Sequence, residues 1–155
     1  CRPESVDQLG RSRMTAVLHD EELLAGSLLY NITLDTDTGN RDRLVAACRC
    51  AGILDDISAL PMQFATQVGE MGSSLSAGQV KRILLARALF RQPNVLILDE
   101  TLSCLEAALA AETVRAIRSC GITLILVTHN PQLMELADQH LQLENPRSGD
   151  ADHAS

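Results

Sequence analysis

The sequence predicts an α/β fold, a parallel sheet with a helical subdomain, and three observations carry that expectation. Two unbroken apolar runs, VLIL at 95–98 and ITLILV at 122–127, have the length and branched-residue content of strands. Between them, residues 105–118 carry an apolar stripe of Ala107, Ala110, Val114 and Ile117 opposite Glu112 and Arg115, which is helical spacing. Strand, helix and strand in that order make a βαβ unit. Its crossover forces the strands parallel, and unbroken apolar runs suit strands buried on both faces. Each run ends in polar chemistry, Asp99 and Glu100 after the first and Thr128 and His129 after the second. That is the carboxyl edge, where open parallel sheets place ligand sites.

The remaining elements follow in order. Residues 1–13 are polar, carry three arginines and read as a connection. MTAVL at 14–18 is a short strand, ended by the polar HDEE at 19–22. Residues 23–34 read as loop and short helix, with Gly26 and Ser27 opening LLYNI at 28–32. A turn-rich loop at 35–40 precedes a helix over 41–51 closed by Gly52, and a second over 53–60 stopped by Pro61. Residues 64–72 form a loop in which Thr66, Val68 and Glu70 stand out. A small-residue loop at 73–78 leads into a helix over 79–91, apolar on nearly every side apart from Lys81, Arg82, Arg87 and Arg91, as a buried element would be. Pro93 breaks it. After a turn at 101–104 and the helix that Gly121 ends, a short helix is expected over 131–137 and a final edge strand over 139–143. Residues 1–145 thus make one α/β unit with a helical lobe inserted at about 27–91, and 146–155 have the composition of a disordered tail.

Composition narrows the class. A chain of 155 residues with 46% hydrophobic and 2% aromatic content builds one aliphatic core. A net charge of −7 and a pI near 5.0 argue against a nucleic-acid partner, whose surface would be basic. No apolar stretch approaches the about 18 residues of a membrane span. The cysteines (Cys1, Cys48, Cys50, Cys104 and Cys120) form no CxxC pair or zinc spacing, so reduced thiols serving as small core or surface residues are expected.

The chemistry concentrates in residues 68–100. Backbone N–H groups at a helix N-terminus are an anion site. In LSAGQ at 75–79, Ser76 offers a hydroxyl to phosphate or a cap to the helix, and Gly78 allows close backbone approach. Asp99 after an apolar strand is a Walker B pattern, a carboxylate that orients Mg²⁺, and Glu100 can polarise a water. A strand ending in two acids is a weak signal alone; a five-residue loop, an apolar helix and such a strand in this order are specific.

On these residues the chain resembles the nucleotide-binding domain of ATP-binding cassette (ABC) transporters, over about 14–143. LSAGQ looks like the signature loop, with Ala77 replacing a usual glycine, and LILDE matches Walker B with its catalytic glutamate. Residues 103–106, SCLE, are similar to the D-loop with Glu106 in place of aspartate, and His129 resembles the switch histidine that contacts the γ-phosphate. TQVGEMG at 66–72 is similar to an exporter loop that meets the membrane domain. Residues 16–33 resemble the exporter Q-loop region, especially of peptidase-containing bacteriocin and toxin secretion systems, with His19 where glutamine is usual.

The resemblance implies a P-loop NTPase-type sheet, ATP and Mg²⁺ as ligands, and a location on the cytoplasmic face of the plasma (inner) membrane. It implies Glu100 and His129 as catalytic groups, Asp99 as the Mg²⁺ residue acting through water, and Ser76, Ala77, Gly78, Gln79, Ser103 and His19 as ATP-site residues. Partners would be a second nucleotide-binding domain, docked head to tail, and the exporter's transmembrane domain. No GxxxxGK[ST] occurs and Lys81 is the only lysine, so the Walker A is expected upstream of Cys1. The chain alone is then expected to lack ATPase activity and to be poorly soluble. Two rivals stay open. One is a truncated, non-catalytic remnant that binds a partner. The other is the C-terminal half of a chromosome- or repair-type ATPase, disfavoured because no heptad coiled coil precedes the signature.

Overall fold

The computed structural model describes residues 13–35, 39–69 and 74–142. In chain order these form β1 (Met14–Val17), the two-residue β2 (Gly26–Ser27), α1 (Leu28–Thr33), α2 (Arg41–Cys50), α3 (Leu54–Ala59), a 3₁₀ turn (Gln63–Ala65), β3 (Gln67–Val68), α4 (Ala77–Phe90), β4 (Val95–Asp99), α5 (Ala107–Ser119), β5 (Thr123–Val127) and α6 (Pro131–Met134). Glu70, Ser73 and the expected tail at 146–155 lie outside the described residues.

The principal sheet is parallel with order β1-β4-β5, in register Val17 to Leu98 to Leu126 and Asp99 to Val127. Everything from β2 to α4 lies between two strands that are spatial neighbours, so the helical segment enters and leaves the sheet at one place. Helix α4 is its axis. Every side chain from Ile83 to Phe90 is buried, and the helix packs on α1, α2 and β1. This bears out the expectation of a buried helix. Phe90 is 1% exposed and carries the Arg43 guanidinium 4.3 Å above its ring.

Local chemistry sets the boundaries. Ser27 caps α1 by accepting from the Tyr30 N–H, and Asn40 caps α2 by accepting from Arg43 N–H. Helix α4 starts two residues earlier than expected, at Ala77, because Ser76 and Gln79 form a capping box. The segment expected to be a plain loop at 64–72 contains β3, which pairs antiparallel with β2. Gly69 follows with φ +116°, and a Cβ there would stand 3.2 Å from the Ala25 Cα, so only glycine fits that crossing.

Three further expectations fail. β5 is not buried on both faces: Ile125 and Val127 are 47% and 50% exposed, because β5 is an edge strand and nothing described covers that side. The short helix ends at Met134 rather than 137. No strand forms over 139–142; instead Arg118 holds the Leu136 carbonyl at 2.8 Å and the Asp138 carboxylate at 2.8 Å, folding the chain onto the end of α5. No helix among the described residues is long and apolar enough to cross a membrane.

Candidate functional site

The carboxyl edge of the sheet is built around an unusual backbone. Glu100 has φ +49°, a left-handed conformation that costs a non-glycine residue about 1 kcal/mol or more. A dense set of bonds imposes it. Glu100 N–H donates to the Val127 carbonyl at 3.0 Å, while the Ser103 N–H (3.3 Å) and hydroxyl both donate to the Glu100 carbonyl. The buried Thr101 hydroxyl bridges to the Val17 and Asp99 carbonyls at 3.2 and 3.3 Å, tying the turn to β1.

The consequence is a carboxylate turned inward. The Glu100 side chain is 19% exposed, and its buried Oε1 accepts no hydrogen bond among the described residues. His129 Nε2 stands 3.5 Å from that oxygen, on a side chain that is 96% exposed. The pairing of Asp99 with Val127 explains the meeting, since it brings the residues just past each strand together. A desolvated carboxylate oxygen without a donor is costly unless something supplies one, which suits it to accept from a water.

The second part of the site is the start of α4. The Ser76 hydroxyl accepts from Gln79 N–H at 3.2 Å, and Gln79 Oε1 accepts from Ser76 N–H at 3.0 Å. The N–H groups of Ala77 and Gly78 have no intrahelical partner by position, and donors so placed at a helix start suit an anion. A Cβ on Gly78 would lie 3.3 Å from Leu105 Cδ2 and 3.7 Å from the Cys104 carbonyl, so the loop rests against the turn that follows Glu100.

Gln79 is itself held. Its Nε2 donates to Asp56 Oδ1 at 2.9 Å, and Arg82 donates to both Asp56 oxygens at 2.8 and 3.3 Å and to the Gly52 carbonyl. Burial alone would push the Asp56 carboxyl up. The hydrogen bonds from Gln79 and Arg82 and the guanidinium charge outweigh it and hold the group below the usual aspartate value.

The third part follows β1. The His19 side chain is 65% exposed and 4.0 Å from Asp20, not against Glu100. Its backbone is anchored: Lys81 Nζ donates to the His19 carbonyl and, at 3.4 Å, to that of Leu18. Behind it lies a buried knot. Asn31, wholly buried, accepts from Leu24 N–H and Arg87, donates to the Leu24 and Ser27 carbonyls, and Arg87 continues to Glu21 at 3.0 Å.

The family model described as ABC transporter matches residues 9–103. The chain belongs to the ABC transporter family. It is 33% identical over 132 residues to the colicin V secretion/processing ATP-binding protein CvaB of Escherichia coli, covering 84% of this chain and 19% of that protein. It is 36% identical over 131 residues to the type I secretion system ATP-binding protein PrsD of Rhizobium meliloti (strain 1021), covering 83% and 22%. It is also similar to a solved bacterial Atm1-family ABC exporter with ATP bound, at 32% identity and a TM-score of 0.72, covering 83% of this chain and 22% of that one. The chain thus spans about a fifth of these ABC transporter relatives.

The ABC transporter fold accounts for which residues meet. The structure brings Glu100, Ser103 and His129 together, with Asp99 on the adjoining strand end. It places Ser76, Ala77, Gly78 and Gln79 at the capped start of α4, and leaves the His19 ring in solvent. Sequence reasoning missed Asp56 and Asn31. The signal available for Asp56 was an acidic residue on a short helix upstream of the Gln79 and Arg82 pair; for Asn31 it was an amide inside the apolar LLYNIT. The donor set fits part of a magnesium-nucleotide site, since hard oxygens at Asp99 and Glu100 suit a hydrated cation. It lacks the lysine for the β- and γ-phosphates, because Lys81, the sole lysine, is committed to two carbonyls.

Proposed function

We propose that the chain is the C-terminal part of the ATP-binding and hydrolysing domain of an ABC exporter, which couples ATP hydrolysis to export of a peptide or protein substrate. The observation that carries this reading is the buried, donor-free Oε1 of Glu100 with His129 Nε2 at 3.5 Å. The names of the secretion relatives and the exporter structure support it.

In this reading Glu100 accepts the proton of the attacking water, and His129, free to swing in solvent, reaches the γ-phosphate. Asp99 would hold Mg²⁺ through water, and the ion would neutralise phosphate charge. Ser103 fixes the Glu100 turn beside the nucleotide. The exposed His19 ring, in the loop after β1, would join the water shell. The open amides of Ala77 and Gly78, with Ser76 and Gln79, would face the nucleotide of a second, head-to-tail domain. A membrane domain would receive the β2–β3 corner, placing the unit at the cytoplasmic face of the plasma (inner) membrane.

The test is ATP turnover by the complete polypeptide that carries this chain, in membrane vesicles. Glu100→Gln should lower kcat roughly 10²–10⁴-fold while nucleotide binding persists. Unchanged turnover would sink the assignment. Residues 1–155 alone should turn over no ATP, for want of a phosphate-holding lysine. The rival reading, a truncated, non-catalytic remnant that binds a partner, predicts no turnover by the complete polypeptide.

A further inference from the structure

Seventy residues separate Cys50 from Cys120, and nothing in their spacing pairs them. The fold does. Cys50 is the last residue of α2 and Cys120 is the C-cap of α5, and their Sγ atoms stand 3.9 Å apart. We propose that Cys50 and Cys120 form a redox-sensitive pair that closes to a disulfide when a hydroperoxide reaches Cys120.

The two thiols differ in access. Cys120 is exposed, whereas Cys50 is half-buried, its thiol pushed up to about 12 by burial and by the charge and hydrogen bond of Cys120. Cys120 therefore meets the oxidant and Cys50 resolves. A cavity of about 370 Å³ bordered by both cysteines, Ala46, Pro93 and Ile122 admits a small peroxide beside them. In the first step the Cys120 sulfur takes the distal peroxide oxygen as the O–O bond breaks, giving the sulfenic acid and one water from hydrogen peroxide. In the second, the Cys50 sulfur attacks that sulfenic sulfur. Its proton leaves with the displaced hydroxyl as a second water. The pair needs the sulfurs to approach from 3.9 Å to about 2.05 Å, the scale of a side-chain rotation and a slight shift of two helix ends.

The other described cysteines serve as internal controls. Cys48 is wholly buried, out of reach of an oxidant, and Cys104 is exposed with its Sγ turned to the Thr101 carbonyl at 3.7 Å. Closure would staple α2 to the corner where α5 turns into β5 and enclose the stretch that holds α3 and all of α4. The sequence pointed to five inert thiols; the juxtaposition singles out two.

The experiment takes the chain carrying Met14→Lys and Ile125→Lys, which remove the apolar patch on its exposed sheet face and keep it monomeric. It treats this chain with a small excess of hydrogen peroxide, alkylates the remaining thiols, and maps tryptic peptides without reduction. Cleavage after Arg49 separates Cys48 from Cys50, and cleavage after Arg118 separates Cys104 from Cys120. The expected result is a linked Cys50–Cys120 peptide, two hydrogens lighter than its parts, reversed by dithiothreitol. The oxidised monomer should unfold about 5 °C or more above the reduced one. Cys120→Ser should abolish the link and the shift while matching the reduced protein's circular dichroism. Separate alkylation of both thiols, or links only between molecules, would overturn the proposal.

Discussion

Asp56 Oδ1 accepts a hydrogen bond from Gln79 Nε2 at 2.9 Å, joining a side chain of α3 to the capping box that starts α4. The same carboxylate takes two bonds from Arg82. The conformation of residues 76–79 is thus set by a residue outside the motif. Truncating Asp56 leaves Arg82, whose side chain is 12% exposed, without its counter-charge. Asp56→Ala is expected to lower the unfolding free energy by roughly 1–3 kcal/mol. Urea titration checks this, and faster amide exchange at Gln79 locates the effect.

The same group makes stability pH-dependent. Its folded-state pKa is depressed below the ordinary value of 3.8, so the unfolded chain binds its proton more readily. The contribution is fully present above about pH 4 and drains as pH falls through the lower folded value. Wild type should lose stability more steeply than Asp56→Asn on acidification below about pH 4. Parallel curves would show that the carboxylate is not linked to folding.

Asn31 is a second hub. It satisfies the Leu24 N–H at 2.8 Å and Arg87 at 2.8 Å, and has no route to water. Asn31→Ala orphans both donors and should cost about 3 kcal/mol, measured by chemical denaturation. Glu112→Ala on the exposed face of α5 should move stability by no more than about 0.5 kcal/mol.

One face of the sheet carries Met14 (66% exposed), Ile125 (47%) and Val127 (50%), aligned by the register of the three strands. Such an apolar patch favours association. The chain alone should therefore scatter light at micromolar concentration, and Met14→Lys with Ile125→Lys should suppress this. A monodisperse wild-type monomer by sedimentation would contradict it.

Much of the fold was legible because it rests on local rules. The apolar runs at 95–98 and 122–127, the helix between them and the buried α4 follow from periodicity and capping, which act over a few residues. The strand-end acids and LSAGQ were visible for the same reason. Errors arose where the answer depended on a neighbour. β5 looked doubly buried because an apolar run does not reveal whether a layer covers it. Residues 139–143 looked like a strand, but Arg118 captures Asp138 and the described part, 139–142, forms none.

What the sequence by itself determined is the element order, the α/β class and which residues are candidates for phosphate chemistry, since side-chain type and period are properties of the chain. Tertiary structure alone decided that His129 meets Glu100, that Asp56 steadies Gln79, and that Cys50 lies against Cys120. Each of these depends on how parallel strands and crossed helices bring distant segments to one spot. No spacing along the chain encodes it.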